Sequence, residues 1–268
     1  MSLTVAVCQF AAGADVAANT EACRDLIATA TARGAELAVL PEAAMYYEPS
    51  RRRVDRPRGE HLDGAFGTAI SEAAKADGIA VVAGMSELVT DADDDRDLNT
   101  LLAVSATGER LGAYRKLHLY DAFGVRESDT LRPGRIEQPT VIDVGGVAVG
   151  LLTCYDLRFP EAFRWVVDAG AELVVVPSAW AVGPAKEDHW RTLIKARAIE
   201  NTVYVAAAGQ TGPVSCGLSM IVDPTGAELA GAGLTPGVAT AIVDPQRIAA
   251  VRETNPSLRN RRFAITPR

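Results

Sequence analysis

The chain alternates short apolar runs, rich in β-branched residues, with alanine-rich segments whose apolar positions recur at helical spacing. The runs LTVAVCQF, AELAVLPE and IAVVAGMSEL predict buried strands, and the segments at about 16–33 and 65–77 predict helices. Strands that alternate with helices are typical of α/β proteins and of layered α-β proteins. The pattern therefore predicts an α/β protein built in layers.

The middle of the chain departs from this alternation and predicts two hairpins. TLLAVSATGERLGAYRK reads as two strands around an Ala-Thr-Gly turn, and TVIDVGGVAVGLLT as two more around a Gly-Gly turn at 145–146. Helices are then predicted over about 160–169 and 187–200. The C-terminal strands are predicted in AELVVVPSAW, in TVYVAAAGQ, in a hairpin within CGLSMIVDPTGAEL, and in ATAIVDPQRI, which enters a short helix.

Two segments of the chain are similar to each other. GAELAVLPEAAM begins at Gly34 and GAELVVVPSAW begins at Gly170, and each predicts a buried strand between a helix and a proline turn. This similarity indicates two halves built alike. No linker rich in proline, glycine and serine divides the chain, so we expect one domain over residues 1–268.

Composition and charge narrow the class of partner. The formal net charge is −7 and the pI is near 5.1, so the chain offers no basic field for a phosphate backbone. The arginine run at 51–53 is too short to reverse this balance, and we expect no nucleic-acid partner. MSLTVAVCQF lacks the features of a secretory signal, and no apolar stretch approaches the length of a membrane span. We expect a cytoplasmic protein without a membrane segment.

Metal, disulfide and nucleotide chemistry are not indicated. Cysteines at 8, 23, 154 and 216 are widely spaced, without a C-x-x-C pair. The acidic run DADDDRD, from Asp91, lacks the glycine and closing glutamate of an EF-hand loop and predicts a solvated loop between strands. No glycine-rich phosphate loop stands at a strand-to-helix junction. We therefore expect no metal and no nucleotide.

Three polar side chains follow apolar runs at points where the chain should leave a sheet. Glu42 follows AVLP, Lys116 follows LGAYR, and Cys154 follows VAVGLLT. Taken singly, each has an ordinary interpretation: a surface carboxylate, a surface lysine lying along apolar neighbours, and a small buried residue. Side chains just past strand ends also line shared crevices in layered α/β proteins. Convergence of the three in one cleft is the functional alternative.

Together, these three residues would suit acyl transfer. A thiol attacks as thiolate, and we expect the pKa of Cys154 to fall beside the ammonium of Lys116. Glu42 would accept the proton, and Lys116 with the backbone N–H of Tyr155 would stabilise an oxyanion. A Cys-His pair with His118 or His189 is the rival arrangement. We expect His118 to form hydrogen bonds behind the reacting groups, and His61 and His189 to be structural or surface residues.

Six segments, in order along nearly the whole chain, resemble the nitrilase superfamily of carbon-nitrogen hydrolases. They are AVCQF, LAVLPEAAM, YRKLHLYD, GLLTCYDLRFPE, HWRTLIKARAIENTVYVAAAGQ and GLSMIVDPTG. The resemblance implies a four-layer αββα sandwich, a homodimer, and a Glu-Lys-Cys triad formed here by Glu42, Lys116 and Cys154. It also implies a further glutamate that positions substrate, which Glu127 in RESDTLRPG matches best.

The reaction implied by the resemblance is hydrolysis of a small carboxamide to the acid and ammonia through a thioester, without a cofactor. CYDLRFPE is similar to the amidase branches of the superfamily, since many nitrilases carry tryptophan directly after the cysteine. Hydrolysis of an N-carbamoyl amino acid or a nitrile, a catalytically silent binding protein and a redox-sensing thiol remain as alternatives. Detection of a resolving cysteine near Cys154 would favour the last.

Substrate contacts are predicted on two further segments. Carbamoylase relatives place arginines that hold a substrate carboxylate near the position of Arg158, and a salt bridge to Asp156 or Glu161 is the structural alternative. Residues after the two similar strands are expected to wall the pocket, with ordinary packing as the alternative for the aromatic ones. They are Tyr46, Tyr47, Trp180 and Ala181.

Overall fold

The computed structural model describes residues 1–48, 59–90 and 94–266. Its strands are β1 (Leu3–Gln9), β2 (Leu37–Val39), β3 (Ala80–Glu87), β4 (Asp97–Val104), β5 (Arg110–Arg115), β6 (Asp121–Ala122), β7 (Val125–Arg126), β8 (Leu131–Arg132), β9 (Val141–Val144), β10 (Val147–Leu151), β11 (Leu173–Ser178), β12 (Tyr204–Gly209), β13 (Met220–Val222), β14 (Glu228–Gly231) and β15 (Gly237–Val243). Its α-helices are α1 (Val16–Ala32), α2 (Ala65–Asp77), α3 (Pro160–Asp168), α4 (Lys186–Asn201) and α5 (Pro245–Thr254).

The strands form two mixed sheets with similar centres. The first has the order β15-β1-β2-β3-β4-β5, with β8 beside β4, and the second has the order β14-β13-β12-β11-β10-β9. The three central strands β1, β2 and β3 are parallel, as are β10, β11 and β12. The flanking strands pair antiparallel, except that β8 runs parallel to β4. Parallel neighbours need crossover connections, which α1 and α2 supply in the first sheet and α3 and α4 in the second.

Two apolar clusters give the fold its layers. One joins the facing sides of the sheets, where β1 and β2 meet β12, and continues to α3 and α4. The other joins the outer side of the first sheet to α1 and α2. Strands buried on both faces read as nearly continuous apolar runs, as LVVVP in β11 does. The predicted four-layer αββα arrangement is confirmed.

The two halves are built alike, as the repeated GAEL segment predicts. In the first half, Glu36 Oε2 accepts the backbone N–H of Thr4 at 2.9 Å; in the second, Glu172 Oε2 accepts that of Ala148 at 3.3 Å. Each glutamate thus ties the strand that it precedes to the neighbouring parallel strand. The proline turn is found only in the first half: Pro41 follows β2, whereas Pro177, which was predicted in a turn, lies within β11 and pairs with Ala208 of β12.

The helices that cover the sheets match their predicted spans within one or two residues. The region between β5 and β9, which the sequence left without elements, contains the hairpin β6–β7, the strand β8 and a 3₁₀ turn, Glu127–Asp129. The arginine run at 51–53 and the start of the acidic run, residues 91–93, lie outside the described residues. Within the described ranges, no helix is long and apolar enough to cross a membrane.

Candidate active site

A cavity of about 1070 Å³ opens where strand ends of both sheets meet. Glu42, Lys116 and Cys154 line it, although they follow β2 and β5 of the first sheet and β10 of the second. The remaining predicted site residues line the same cavity: Glu127, Tyr155, Arg158, Tyr46, Trp180 and Ala181, together with Tyr47. The predicted convergence therefore occurs, and the chemical role of each residue stays a prediction.

Glu42 is buried, with 3% of its surface exposed, so its interpretation as a surface carboxylate is wrong. Its Oε1 accepts a hydrogen bond from Lys116 Nζ at 2.8 Å, and its Oε2 accepts one from the backbone N–H of Ala179 at 2.6 Å. The backbone turn that carries it packs directly against Gly84 of β3, where an added Cβ would lie 2.6 Å from Glu42 Cα. Only glycine permits this close approach.

Lys116 directly follows β5 and has 2% of its surface exposed, so it is not a surface lysine. Its Nζ donates to Glu42 and to both carboxylate oxygens of Glu127, at 3.1 and 2.9 Å. Glu127 Oε2 also accepts the backbone N–H of Tyr120 at 2.6 Å, which fixes the carboxylate in place. A buried ammonium is stable only when such partners replace its hydration.

Asn99 is a site residue that the sequence reasoning missed. It lies on β4, and its Nδ2 donates to Glu42 at 2.7 Å and to Glu127 at 3.2 Å. Because both partners are carboxylates, the amide nitrogen has to face them, and the amide oxygen, which has no hydrogen-bond partner, is turned away. The polar Asn-Thr pair inside the apolar strand DLNTLLAV was the signal for it.

Cys154 begins a short 3₁₀ turn, Cys154–Arg158, at the end of β10. Its φ of +45° lies in the left-handed region, which costs a residue with a side chain about 1–2 kcal/mol. Cys154 has 7% of its surface exposed and lines the cavity, so it is a buried residue that also borders the site. Local strain of this kind is typical of functional positions.

The expectation that Lys116 lowers the pKa of Cys154 is wrong in its net effect. Burial raises the pKa of Cys154 well above its usual value, and Glu42 raises it further. Lys116 lowers the pKa of Cys154, as predicted, but burial and Glu42 together raise it by more. For Lys116 itself, burial favours the neutral amine, yet Glu127 and Glu42 together raise its pKa well above the usual range. The resting site therefore holds a neutral thiol beside an ion pair.

A buried carboxylate joins the turn of the cysteine to β5. Asp156 Oδ2 accepts the hydroxyl of Tyr114 at 2.7 Å and the backbone N–H of Thr153 at 2.9 Å. Its Oδ1 contacts both the backbone N–H of His118, at 3.2 Å, and His118 Nδ1, at 2.7 Å. The prediction that His118 forms hydrogen bonds behind the reacting groups is confirmed. These bonds hold the cysteine and lysine segments together.

The Cys-His alternative finds no support in the described residues. His118 is committed to Asp156, and its ring stacks on Phe159 with centroids 3.7 Å apart. His189 lies 3.4 Å from the guanidinium of Arg158, and neither histidine lines the cavity. Over the same ranges, no cluster of three or more His, Cys, Asp or Glu side chains is arranged to hold a metal ion.

Arg158 does not form the salt bridge offered as its structural alternative. Among described residues, no carboxylate lies within 4 Å of its guanidinium, and the oxygens of Asp156 are used by other donors. Its Cζ instead lies 4.8 Å from the ring centre of Trp180, and its buried Nε has no hydrogen-bond partner. Arg158 thus presents an unpaired charge to the cavity.

A sequence profile of the carbon-nitrogen hydrolase family matches residues 4–253. The chain therefore belongs to the carbon-nitrogen hydrolase family. It is 38% identical over 262 residues to the deaminated glutathione amidase of Escherichia coli O157:H7, and the match covers 98% of each chain.

Solved structures agree with this assignment. One shows a mutant of the amidase from Nesterenkonia sp. AN1 with the acetamide moiety of fluoroacetamide added covalently at the active-site cysteine. It matches with a TM-score of 0.82 and 29% identity, and the match covers 97% of this chain and 94% of that one. A carbon-nitrogen hydrolase from Helicobacter pylori G27 matches with a TM-score of 0.87 and 26% identity, covering 98% and 96%. Membership of the nitrilase superfamily, and assignment as a hydrolase of non-peptide carbon-nitrogen bonds, are confirmed.

Proposed function

We propose that the protein is a cysteine-dependent amidase that hydrolyses a carboxamide to the acid and ammonia through a thioester on Cys154. The observation that carries the proposal is that Glu42, Lys116 and Cys154 line one cavity. The Glu42 carboxylate binds Lys116 at 2.8 Å and raises the pKa of the buried Cys154 thiol. The amidase names of the relatives and structural neighbours support the same class of substrate.

The first half of the reaction forms the thioester. Because the resting thiol is protonated, Glu42 removes its proton as the Cys154 sulfur attacks the amide carbon. The carbonyl oxygen becomes an oxyanion, which the Lys116 ammonium and the Tyr155 backbone N–H stabilise. The carbon-nitrogen bond then breaks, and the proton held by Glu42 passes to the nitrogen, which leaves as ammonia.

The second half releases the acid. Glu42 takes a proton from water as the water oxygen attacks the thioester carbon, and the carbon-sulfur bond breaks. The departing sulfur recovers the proton, which returns the neutral thiol and the ionised carboxylate of the resting site. Glu127 holds Lys116 through both of its oxygens, so it keeps the ammonium charged and in position through both halves.

The size of the cavity favours a second candidate, an amide with a larger nitrogen substituent. Ligand pockets of about 300–1,000 Å³ accommodate drug-sized molecules, and the cavity here has about 1070 Å³. A short aliphatic amide would leave most of this volume empty. Deaminated glutathione, which the E. coli relative is named for, is an amide whose leaving group is an amine rather than ammonia.

A substrate panel tests the proposal and separates these candidates. It contains short aliphatic amides, glutamine-type 2-oxo amides, deaminated glutathione, N-carbamoyl amino acids and nitriles, with products followed by mass spectrometry. We expect acid formation from amides, and its loss in Cys154→Ala and Glu42→Gln proteins. Persistent turnover in either variant would contradict the mechanism. A folded wild-type protein that turns over none of these compounds would favour the silent binding protein. The homodimer and the cytoplasmic location stay predictions.

A further inference from the structure

Four side chains in the wall of the cavity form a closed ring of hydrogen bonds. Glu42 Oε1 accepts one from Lys116 Nζ at 2.8 Å and one from Asn99 Nδ2 at 2.7 Å. Glu127 Oε1 accepts from the same two nitrogens, at 3.1 and 3.2 Å. Each donor therefore bridges the two carboxylates, and the asparagine amide makes the same pair of contacts as the ammonium.

Asn99 supplies hydrogen-bond donors to this ring without adding charge. The ring holds two carboxylates and a single ammonium, and N–H donors stabilise the ionised form of a carboxylate. An aliphatic residue in place of Asn99 would leave each carboxylate with one donor fewer. A second cation would neutralise the excess charge and hold Glu42 in its ionised form. A neutral amide is intermediate, which suits a carboxylate that has to take up a proton and release it again.

The two oxygens of Glu42 have different surroundings. An ionised carboxylate has roughly four accepting positions, shared equally by its oxygens, and Lys116 and Asn99 use those of Oε1. Oε2 accepts one hydrogen bond from a described residue, the backbone N–H of Ala179 at 2.6 Å. The same N–H lowers the pKa of Cys154, so the sulfur lies on the Oε2 side of the carboxylate. Oε2 is therefore the oxygen that is placed to receive the thiol proton.

The burial of Asn99 is costly unless its nitrogen has a task. The residue is 8% exposed, and its amide oxygen has no hydrogen-bond partner. An unpaired polar atom in a protein interior destabilises the fold, so it needs an explanation beyond packing. The backbone of Asn99 also holds the site together, because its carbonyl accepts the backbone N–H of Lys116 at 2.9 Å. These contacts direct the amide nitrogen to the two glutamates at the expense of the oxygen.

We propose that Asn99 is a positioning residue for the general base: with Lys116 it holds Glu42 by Oε1, so that Oε2 exchanges the proton. The proton leaves the Cys154 sulfur for Oε2 as the sulfur–carbon bond forms, and it leaves Oε2 for the nitrogen as the carbon–nitrogen bond breaks. Oε1 accepts the Asn99 bond throughout, because it is the carbonyl oxygen when Oε2 is protonated. Asn99 thereby sets how readily Glu42 takes up a proton. The inference rests on the proposed function in taking Glu42 as the base.

The pH profile of kcat/KM tests this role with the amide that the wild-type protein hydrolyses best. Asn99→Leu is similar in size and lacks the donor. Its acid limb, which reports protonation of the base in the free enzyme, should move to higher pH by about one unit or more. The ratio of variant to wild-type kcat/KM should therefore rise about tenfold or more across the limb. A ratio that is the same at every pH would mean that Asn99 only fills space, and would overturn the proposal.

Thr100→Val is the matched control. Thr100 is the next residue of β4, it is buried, and it donates a hydrogen bond of 2.7 Å to Glu87, away from the cavity lining. Its replacement also removes a buried hydrogen bond to a carboxylate, yet the acid limb should keep its wild-type position. An equal displacement of the limb in both variants would contradict a specific role for Asn99.

A second substitution covers the case in which the leucine variant does not fold, as thermal unfolding midpoints would show. Asn99→Ser replaces the two N–H donors by one hydroxyl, so at most one glutamate keeps its bond. The acid limb of this variant should move in the same direction. An unmoved limb in folded Asn99→Ser would also overturn the proposal.

Carbon-13 NMR of protein labelled at the glutamate carboxyl groups separates this inference from the proposed function. The Glu42 resonance is identified by its absence in Glu42→Gln, and its titration reports proton uptake without turnover. If its midpoint moves to higher pH in Asn99→Leu while the wild-type protein hydrolyses no amide, the role of Asn99 stands and the amidase proposal fails. If the wild-type protein hydrolyses amides but neither the midpoint nor the acid limb moves in Asn99→Leu, the amidase proposal stands and the role of Asn99 fails.

Discussion

Replacement of Asp156 by asparagine perturbs the link between the cysteine turn and β5 without changing the size of the side chain. The carboxylate accepts bonds from the N–H groups of Thr153 and His118, from the Tyr114 hydroxyl and from the His118 ring. The hydroxyl and the ring can adapt, since a hydroxyl rotates and an imidazole can change tautomer. The two backbone N–H groups cannot.

An asparagine amide has one accepting oxygen, and each oxygen of Asp156 serves one of these backbone donors. Whichever way the amide is turned, either the buried N–H of Thr153 or the partly buried N–H of His118 faces an NH₂ group. An unsatisfied buried donor costs about 1–3 kcal/mol, and loss of the charge weakens the remaining bonds by roughly 1 kcal/mol more. We therefore expect Asp156→Asn to lower the free energy of unfolding by about 2–4 kcal/mol.

Chemical denaturation measured by far-UV circular dichroism tests this value, with Asp25→Asn on the exposed side of α1 as the matched control. For a chain of this size, a loss of about 1 kcal/mol in the free energy of unfolding corresponds to a fall of roughly 2–4 °C in the thermal unfolding midpoint. Activity should also fall, because the turn that carries Cys154 loses its anchor. A loss of stability below about 0.5 kcal/mol, the range of ordinary surface substitutions, would refute the reasoning.

Three further predictions follow from the site. Gly84→Ala should reduce kcat by more than about tenfold, because the Cβ of the alanine would lie 2.6 Å from the backbone of Glu42. A steady-state kcat equal to the wild-type value would contradict this close approach. The rate of alkylation of Cys154, followed by peptide mass spectrometry, should rise with pH through and beyond about pH 8.5, because burial and Glu42 raise the pKa of the thiol. A plateau near neutral pH would indicate a resting thiolate instead. Glu127→Gln should lower kcat by about a hundredfold or more, because Lys116 loses one of the two carboxylates that raise its pKa. If the glutamate only fills space, pre-steady-state kinetics on a variant with an unchanged unfolding midpoint would show an unaltered rate.

Much of the site was predictable because strand ends are visible in the sequence. Glu42, Lys116 and Cys154 each follow an apolar run, and the repeated GAEL segment indicated the two halves whose facing sheets bring them together. What could not be predicted depends on residues distant in the chain. The contacts of Asn99 with Glu42 and Glu127 join residues that are 57 and 28 positions apart in the chain.

The direction in which the Cys154 pKa is shifted is a second property that could not be predicted from the sequence. From the sequence, Lys116 was an adjacent cation and the thiol was expected to be acidic. In the structure, burial is the largest effect and Glu42 adds to it, so the sign is reversed. Burial is a property of the packed layers, which no local pattern reports. It favours an attack in which Glu42 removes the thiol proton, as the sequence reasoning also expected, over attack by a thiolate that is present beforehand.

Acid-quenched intact mass spectrometry tests the central claim, that Cys154 carries the acyl group, most directly. The wild-type protein is mixed with the amide that it hydrolyses best, quenched during turnover, and digested to locate the modification. We predict a mass increase equal to the acyl group on the peptide that contains Cys154, and neither adduct nor turnover in Cys154→Ala. Turnover without an adduct, together with undiminished turnover in Cys154→Ala, would contradict the account.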